Sequence, residues 1–197
     1  MRLIRVLATV LSVVLALTVV STRPSHAEAV PSVATIEALV DSVDDGVFDA
    51  NQATTHGVST GDVAKFAQGF QAFGGQLRGI EISVTDRDGT AARAARAACE
   101  GTTNVKSGDS PTYQVRVWLN SCNTNVLVGI LNQGGGAAVV VGALVALGTL
   151  GAGAALSVAG GIIIIGANAI ATCAAAGRGV LIYVRINPPV GGWCVSQ

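Results

Sequence analysis

The chain has 197 residues, of which 50% are hydrophobic and 12% charged, with 12 basic against 12 acidic side chains and 25 glycines. This is too apolar for a disordered polar segment, and its cations form no basic stripe that could follow a phosphate backbone, so nucleic acid is not an expected partner.

Arg2 and Arg5 precede an apolar run from Val6 to Val20, and Ser25-His26-Ala27 places small residues at the two positions that specify cleavage. Residues 1–27 therefore read as a secretory signal peptide. An apolar run of about 15 residues is shorter than the ~20 a bilayer-spanning helix needs. Its removal leaves 9 basic and 12 acidic groups, a net of −3. The split along the chain is sharper than the total. Residues 28–109 carry all 12 acids and a net of −6, whereas residues 110–197 carry only Arg116, Arg178 and Arg185. Such an asymmetry marks two regions with different roles.

Residues 28–100 read as an acidic, α-rich region. Val33, Ile36, Leu39, Val40, Val43 and Val47 recur at helical spacing, with Glu37, Asp41, Asp44 and Asp45 mostly opposite, which predicts one helix. Ser59 with Asp62 three residues on resembles a capping box, and Val63, Phe66, Ala67, Phe70, Phe73 and Leu77 form the apolar face of a second helix. Ile80, Ile82 and Val84 alternate as a short strand, turned at Asp86-Arg87-Asp88-Gly89, and a third helix is expected over Thr90–Cys99. Residues 101–111 are polar and without apolar periodicity, which reads as a linker.

Residues 112–197 form the other unit, a Gly/Ala-rich apolar hairpin module. Tyr113, Val115, Val117 and Leu119 alternate as a strand, as do Val180, Ile182, Val184 and Ile186. Between them no charge occurs from Val117 to Gly177, 61 positions. Asn132-Gln133-Gly134-Gly135-Gly136 and Gly151-Ala152-Gly153 divide this stretch. As helices, Ala137–Leu150 would be about 21 Å long and Ala154–Ala176 about 34 Å, so only the second could cross a hydrocarbon core of about 30 Å. Small residues four apart, such as Gly142 with Ala146, would allow close helix contact. Helices apolar all round belong in a core or in lipid, and both readings stay open. Inside the tract the hydroxyls can bond back to their own helix, so Asn168 alone needs a partner, either lining a polar path or tying two helices together, of which the second is favoured. The fold class expected is α+β, an α-rich region followed by a disulfide-stapled β-α-α-β module with an apolar helical hairpin.

Cys99, Cys122, Cys173 and Cys194 remain after cleavage, and an even count in an exported chain favours two structural disulfides out of three possible connectivities. If the two strands are neighbours, Cys122 and Cys173 lie just beyond their hairpin ends, which favours a Cys122–Cys173 bridge and leaves Cys99 for Cys194. No C-x-x-C, G-x-S-x-G or H-E-x-x-H occurs, the Gly-rich turns lack a following Lys-Ser/Thr, and His56 is the one histidine past residue 27. Asp86–Gly89 lacks the later ligands of a calcium loop. No catalytic residue, cofactor or metal ligand is assigned, and an enzyme is not expected.

Val117-Trp118-Leu119-Asn120-Ser121-Cys122-Asn123-Thr124-Asn125, the uncharged tract, Cys173 with Gly177-Arg178-Gly179-Val180, and Trp193-Cys194-Val195-Ser196-Gln197 together resemble a group of small, functionally uncharacterised exported proteins of high-GC Gram-positive bacteria. The resemblance covers under half the chain and implies export and a shared module. In composition the tract is loosely similar to membrane-active bacteriocins. The expected function is that of a secreted, non-enzymatic protein whose apolar hairpin engages a lipid membrane, in the manner of an antimicrobial or toxin. The alternative is a cell-envelope module, structural or protein-binding, in which the hairpin is a dry core and the partner is an envelope protein.

Overall fold

The computed structural model describes residues 30–82, 99–107, 114–148, 150–186 and 191–197. Residues 90–98 of the expected third helix, the expected Asp86–Gly89 turn and the segment read as a signal peptide lie outside them.

Helix α1, Val33–Asp41, starts at Ser32, whose hydroxyl accepts from the Thr35 amide at 3.1 Å, and buries Ile36 and Leu39. It does not run on to Val47. The chain leaves it at Ser42 and forms a tight hairpin, β1 (Val43–Asp44) with β2 (Val47–Asp49), in which Val43 faces Phe48 and Asp44 faces Val47. Asp45 and Gly46 both have positive φ, 46° and 76°, as a two-residue type I′ turn requires. The Asp-Gly pair thus overrides the helical spacing of the valines, and Val33 at the other end is exposed.

Asp49 then caps the short helix α2 (Ala50–Thr55) through the Asn51 and Gln52 amides. Helix α3, Thr60–Ala72, starts at Ser59 as expected. The Asp62 carboxylate accepts from the Ser59 hydroxyl at 2.7 Å, while that hydroxyl accepts from the Asp62 amide at 3.1 Å. Strand β3, Gln76–Arg78, pairs parallel with β2, and Ile80 to Ile82, expected to begin a strand, have no regular structure. Phe48, Phe66 and Phe70 cluster beneath this small sheet, with Phe48 and Phe66 centroids 4.8 Å apart.

Four antiparallel strands in the order β4-β5-β6-β7 form the second sheet: Asn104–Ser107, Gln114–Leu119, Val180–Arg185 and Gly191–Ser196. The central pair, β5 and β6, is the one expected. Strand β4 lies inside the segment read as a linker, and β7 carries two glycines that weakened its alternation. Four helices connect β5 to β6: α4 (Ser121–Asn132), α5 (Ala137–Val145), α6 (Ala152–Ile165) and α7 (Ala167–Cys173). The fold is α+β with a helical hairpin near its C-terminal end.

Both halves of the chain share one core, in which Ile36, Phe66 and Phe70 join Val117, Val140, Ile162 and Val184. All nine residues of α5 are buried. The tightest approach is between α3 and α5, where Gly69 lies against the Val139 carbonyl and Gly142 against that of Phe66; a Cβ at either glycine would overlap backbone. Small residues do mediate close helix contact, here between the acidic region and the module. Gly161 similarly lets α6 lie on Val184 of the sheet.

The long apolar segment is not one helix. Gly166, at φ 79° and ψ 160°, ends α6 and begins α7, and the two axes differ by 84°. Among the described residues no single helix is long and apolar enough to cross a membrane; only this bent pair passes by length and composition.

Candidate functional site: the open face of the four-stranded sheet

The disulfides are Cys99–Cys122 and Cys173–Cys194, with Cα atoms 5.4 and 5.9 Å apart. The expected Cys122–Cys173 and Cys99–Cys194 pairing is therefore overturned, and the two unforeseen strands are the reason. Strand β4 pairs with β5 and brings residues 99–100 beside the start of α4, where the Ser121 amide donates to the Glu100 carbonyl at 2.8 Å. Strand β7 sets Cys194 opposite the buried Ile182, on the side of the sheet that faces the helices and Cys173.

The flanking motifs meet at one end of the sheet as a structural knot. Asn120 caps α4, its side chain accepting from the Asn123 amide at 2.9 Å, and the Thr103 hydroxyl accepts from the Asn120 amide and the Asn123 side chain. The Gln197 side chain ties the ends of β5 and β6 to the segment before β4: its oxygen accepts from the Thr102 amide at 2.9 Å, and its nitrogen donates to the carbonyls of Leu119, Val180 and Thr102 at 2.8 to 3.0 Å. Gly179, at φ 97°, packs on the Leu119 carbonyl, and Gly101, at φ 89°, on that of Arg178. These residues hold strands together and present no reactive group.

Among the described residues, helices cover only one face of the sheet. Alternation sends Val115, Val117, Leu119, Val180, Ile182 and Val184 inward, all buried. The residues out of phase with them form the open face, and the register aligns Lys106, Arg116, Tyr183 and Trp193 in one row across all four strands. The Arg116 guanidinium lies 5.9 Å from the Tyr183 ring centroid, and Trp193 stacks on Tyr183 with centroids 5.0 Å apart and planes at 9°. In the adjoining row the Lys106 ammonium lies 5.8 Å from the Trp118 ring centroid. Arg185, two residues after Tyr183, leaves from the same face. Its Nε is buried and has no hydrogen-bond partner among the described residues.

The aromatic residues are thus sorted by type. Three of the four phenylalanines are fully buried in the core, while both tryptophans and Tyr183 stand on the open face among cations. None of the four strands contains an Asp or Glu. The even spacing of Arg116, Trp118, Tyr183 and Arg185 was the available signal for this face. Lys106 and Trp193 could not be placed on it without β4 and β7.

Other candidates gather no chemistry. His56, at the end of α2, is exposed, as are Glu37, Asp41, Asp44 and Asp45. Asn168 is exposed on α7 and needs no buried partner, whereas Ser157 and Thr172 bond back to the carbonyls of Gly153 and Asn168. Among the described residues no group of three or more His, Cys, Asp or Glu side chains is placed to hold a metal ion. A cavity of about 160 Å³ beside Lys65, Gln68 and the Gly134–Gly136 turn is small against the roughly 300–1,000 Å³ of most small-molecule sites. Comparison with protein-family models, with curated proteins and with solved structures finds no match to this chain.

Proposed function

We propose that the protein is an exported, non-enzymatic binding module of the cell envelope, with the apolar hairpin as its dry core and the open sheet face as its contact surface. The observation that carries this reading is the burial of every residue of α5, half of the apolar hairpin, against the acidic region's own helix α3. Exposing α5 to lipid would mean separating it from α3 and opening the shared core, a cost on the scale of the whole stability of a domain. The two disulfides accord with export, because such bridges persist in oxidising compartments.

One observation favours membrane contact of a lesser kind. Ile163 and Ile164, at the α6–α7 elbow, are 41% and 65% exposed. Two isoleucines could touch an interface; the antimicrobial or toxin-like reading requires the hairpin to enter it.

The test uses the mature chain from residue 28. Recovery as a monomer in detergent-free culture fluid, with no dye leakage from anionic liposomes at micromolar concentration, is the expected result. Leakage, or recovery only with membranes, would replace the binding module by the lipid-engaging protein.

A further inference from the structure

We propose, on the reading of the open sheet face as the contact surface, that its ligand is an anionic polysaccharide, a polymer of sugar rings bearing carboxylate or other acidic groups. Charge comes first. Lys106 and Arg116 are direct cross-strand partners, and like charges so placed repel. No acidic residue of the four strands relieves them, and Arg185 adds a third cation whose Nε proton lacks an acceptor among the described residues. An oxyanion across Lys106 and Arg116 would turn the repulsion into attraction.

The rings narrow the class. A sugar presents a face of C–H groups with partial positive charge, which matches the negative face of an aromatic ring. Trp193, 44% exposed, ends the aligned row on the outer strand β7, and Trp118 lies one row away. Arg116 against Tyr183 keeps its guanidinium plane on the ring and leaves its N–H edge free for an acid group. Across the sheet two cations, Lys106 and Arg116, are followed by two rings, Tyr183 and Trp193, so a sugar polymer lying across the strands would set an acid group over β4 and β5 and a ring face over β6 and β7. An acidic peptide uses the cations without the rings. Among the described residues the large apolar side chains that protrude from this face are Trp193 and Val195, both on the edge strand β7, whereas Trp118, Leu181 and Tyr183 are half-buried, so a lipid surface would meet that edge alone.

Trp118 and Trp193 are the only tryptophans, so intrinsic fluorescence reports on this face alone. The mature protein is titrated with oligogalacturonate, neutral dextran, polyglutamate, oligo(dT) and phosphatidylglycerol vesicles. Saturable binding of oligogalacturonate is expected, at least about tenfold tighter than any other probe and weakening as salt screens the charges. Lys106→Gln and Arg116→Gln should each weaken it about tenfold or more, while the Lys106→Gln denaturation midpoint stays level or rises because a repulsion is removed. Dextran binding as tightly would refute the role of charge. Polyglutamate, oligo(dT) or vesicles binding as tightly, with the same dependence on Lys106 and Arg116, would refute the sugar while leaving the sheet face as the contact surface. Binding indifferent to both substitutions would overturn the face as well, and no response to any probe would overturn the polysaccharide assignment.

Discussion

Glycines that look alike in the sequence have opposite jobs. Gly129, within α4, has nothing within 4 Å of where a Cβ would stand, so Gly129→Ala gains helix propensity and should stabilise by up to about 1 kcal/mol. Gly142 in α5 offers the same gain, but its Cβ would strike the Phe66 carbonyl. Overpacking of this kind costs about 1–3 kcal/mol, and more where the obstacle is backbone rather than a movable side chain, so the clash wins. Urea midpoints should therefore move up for Gly129→Ala and down for Gly142→Ala; equal shifts of one sign would contradict the close α3–α5 crossing. Nothing in the sequence separates these two glycines, because the partner of Gly142 lies in the other half of the chain.

Among the elements, those set by local pattern were legible. Alternation identified β5 and β6, and Ser59 with the following apolar face identified α3. Those set by competition or by distant partners were not. Asp45-Gly46 ended a valine spacing that suited a helix, and Gly166 cut a segment whose apolar length suited a span. Strand β4, polar and set among Gly, Thr and Ser, exists through its pairing with β5. Missing β4 and β7 also misdirected the disulfides. Non-reducing peptide mapping should yield Cys99 joined to Cys122 and Cys173 joined to Cys194; a Cys122–Cys173 peptide would contradict the strand order. With separations of 23 and 21 residues, each bridge should contribute about 3 kcal/mol by the chain-entropy estimate, seen as a loss of stability when that pair is replaced by serine.

For the whole molecule, the charge split that suggested two regions is real in sequence but does not divide the core. The acidic region supplies α1 and α3 as packing partners for α5 and α6, and the module supplies a sheet whose outer face is cationic and aromatic. That face was half legible. Its residues on β5 and β6 could be read from period-two spacing, but its extent and the absence of acids from all four strands depend on the sheet order. The uncharged tract, the loudest signal in the sequence, explains the core better than it explains the ligand, because a helix apolar on every side is satisfied equally by lipid or by protein. Hydrogen exchange of the mature protein over Ala137–Val145 separates the two most directly. The dry core predicts that these amides are among the slowest to exchange in detergent-free buffer and are unchanged by anionic vesicles, whereas fast exchange in buffer that becomes slow only with vesicles would contradict it.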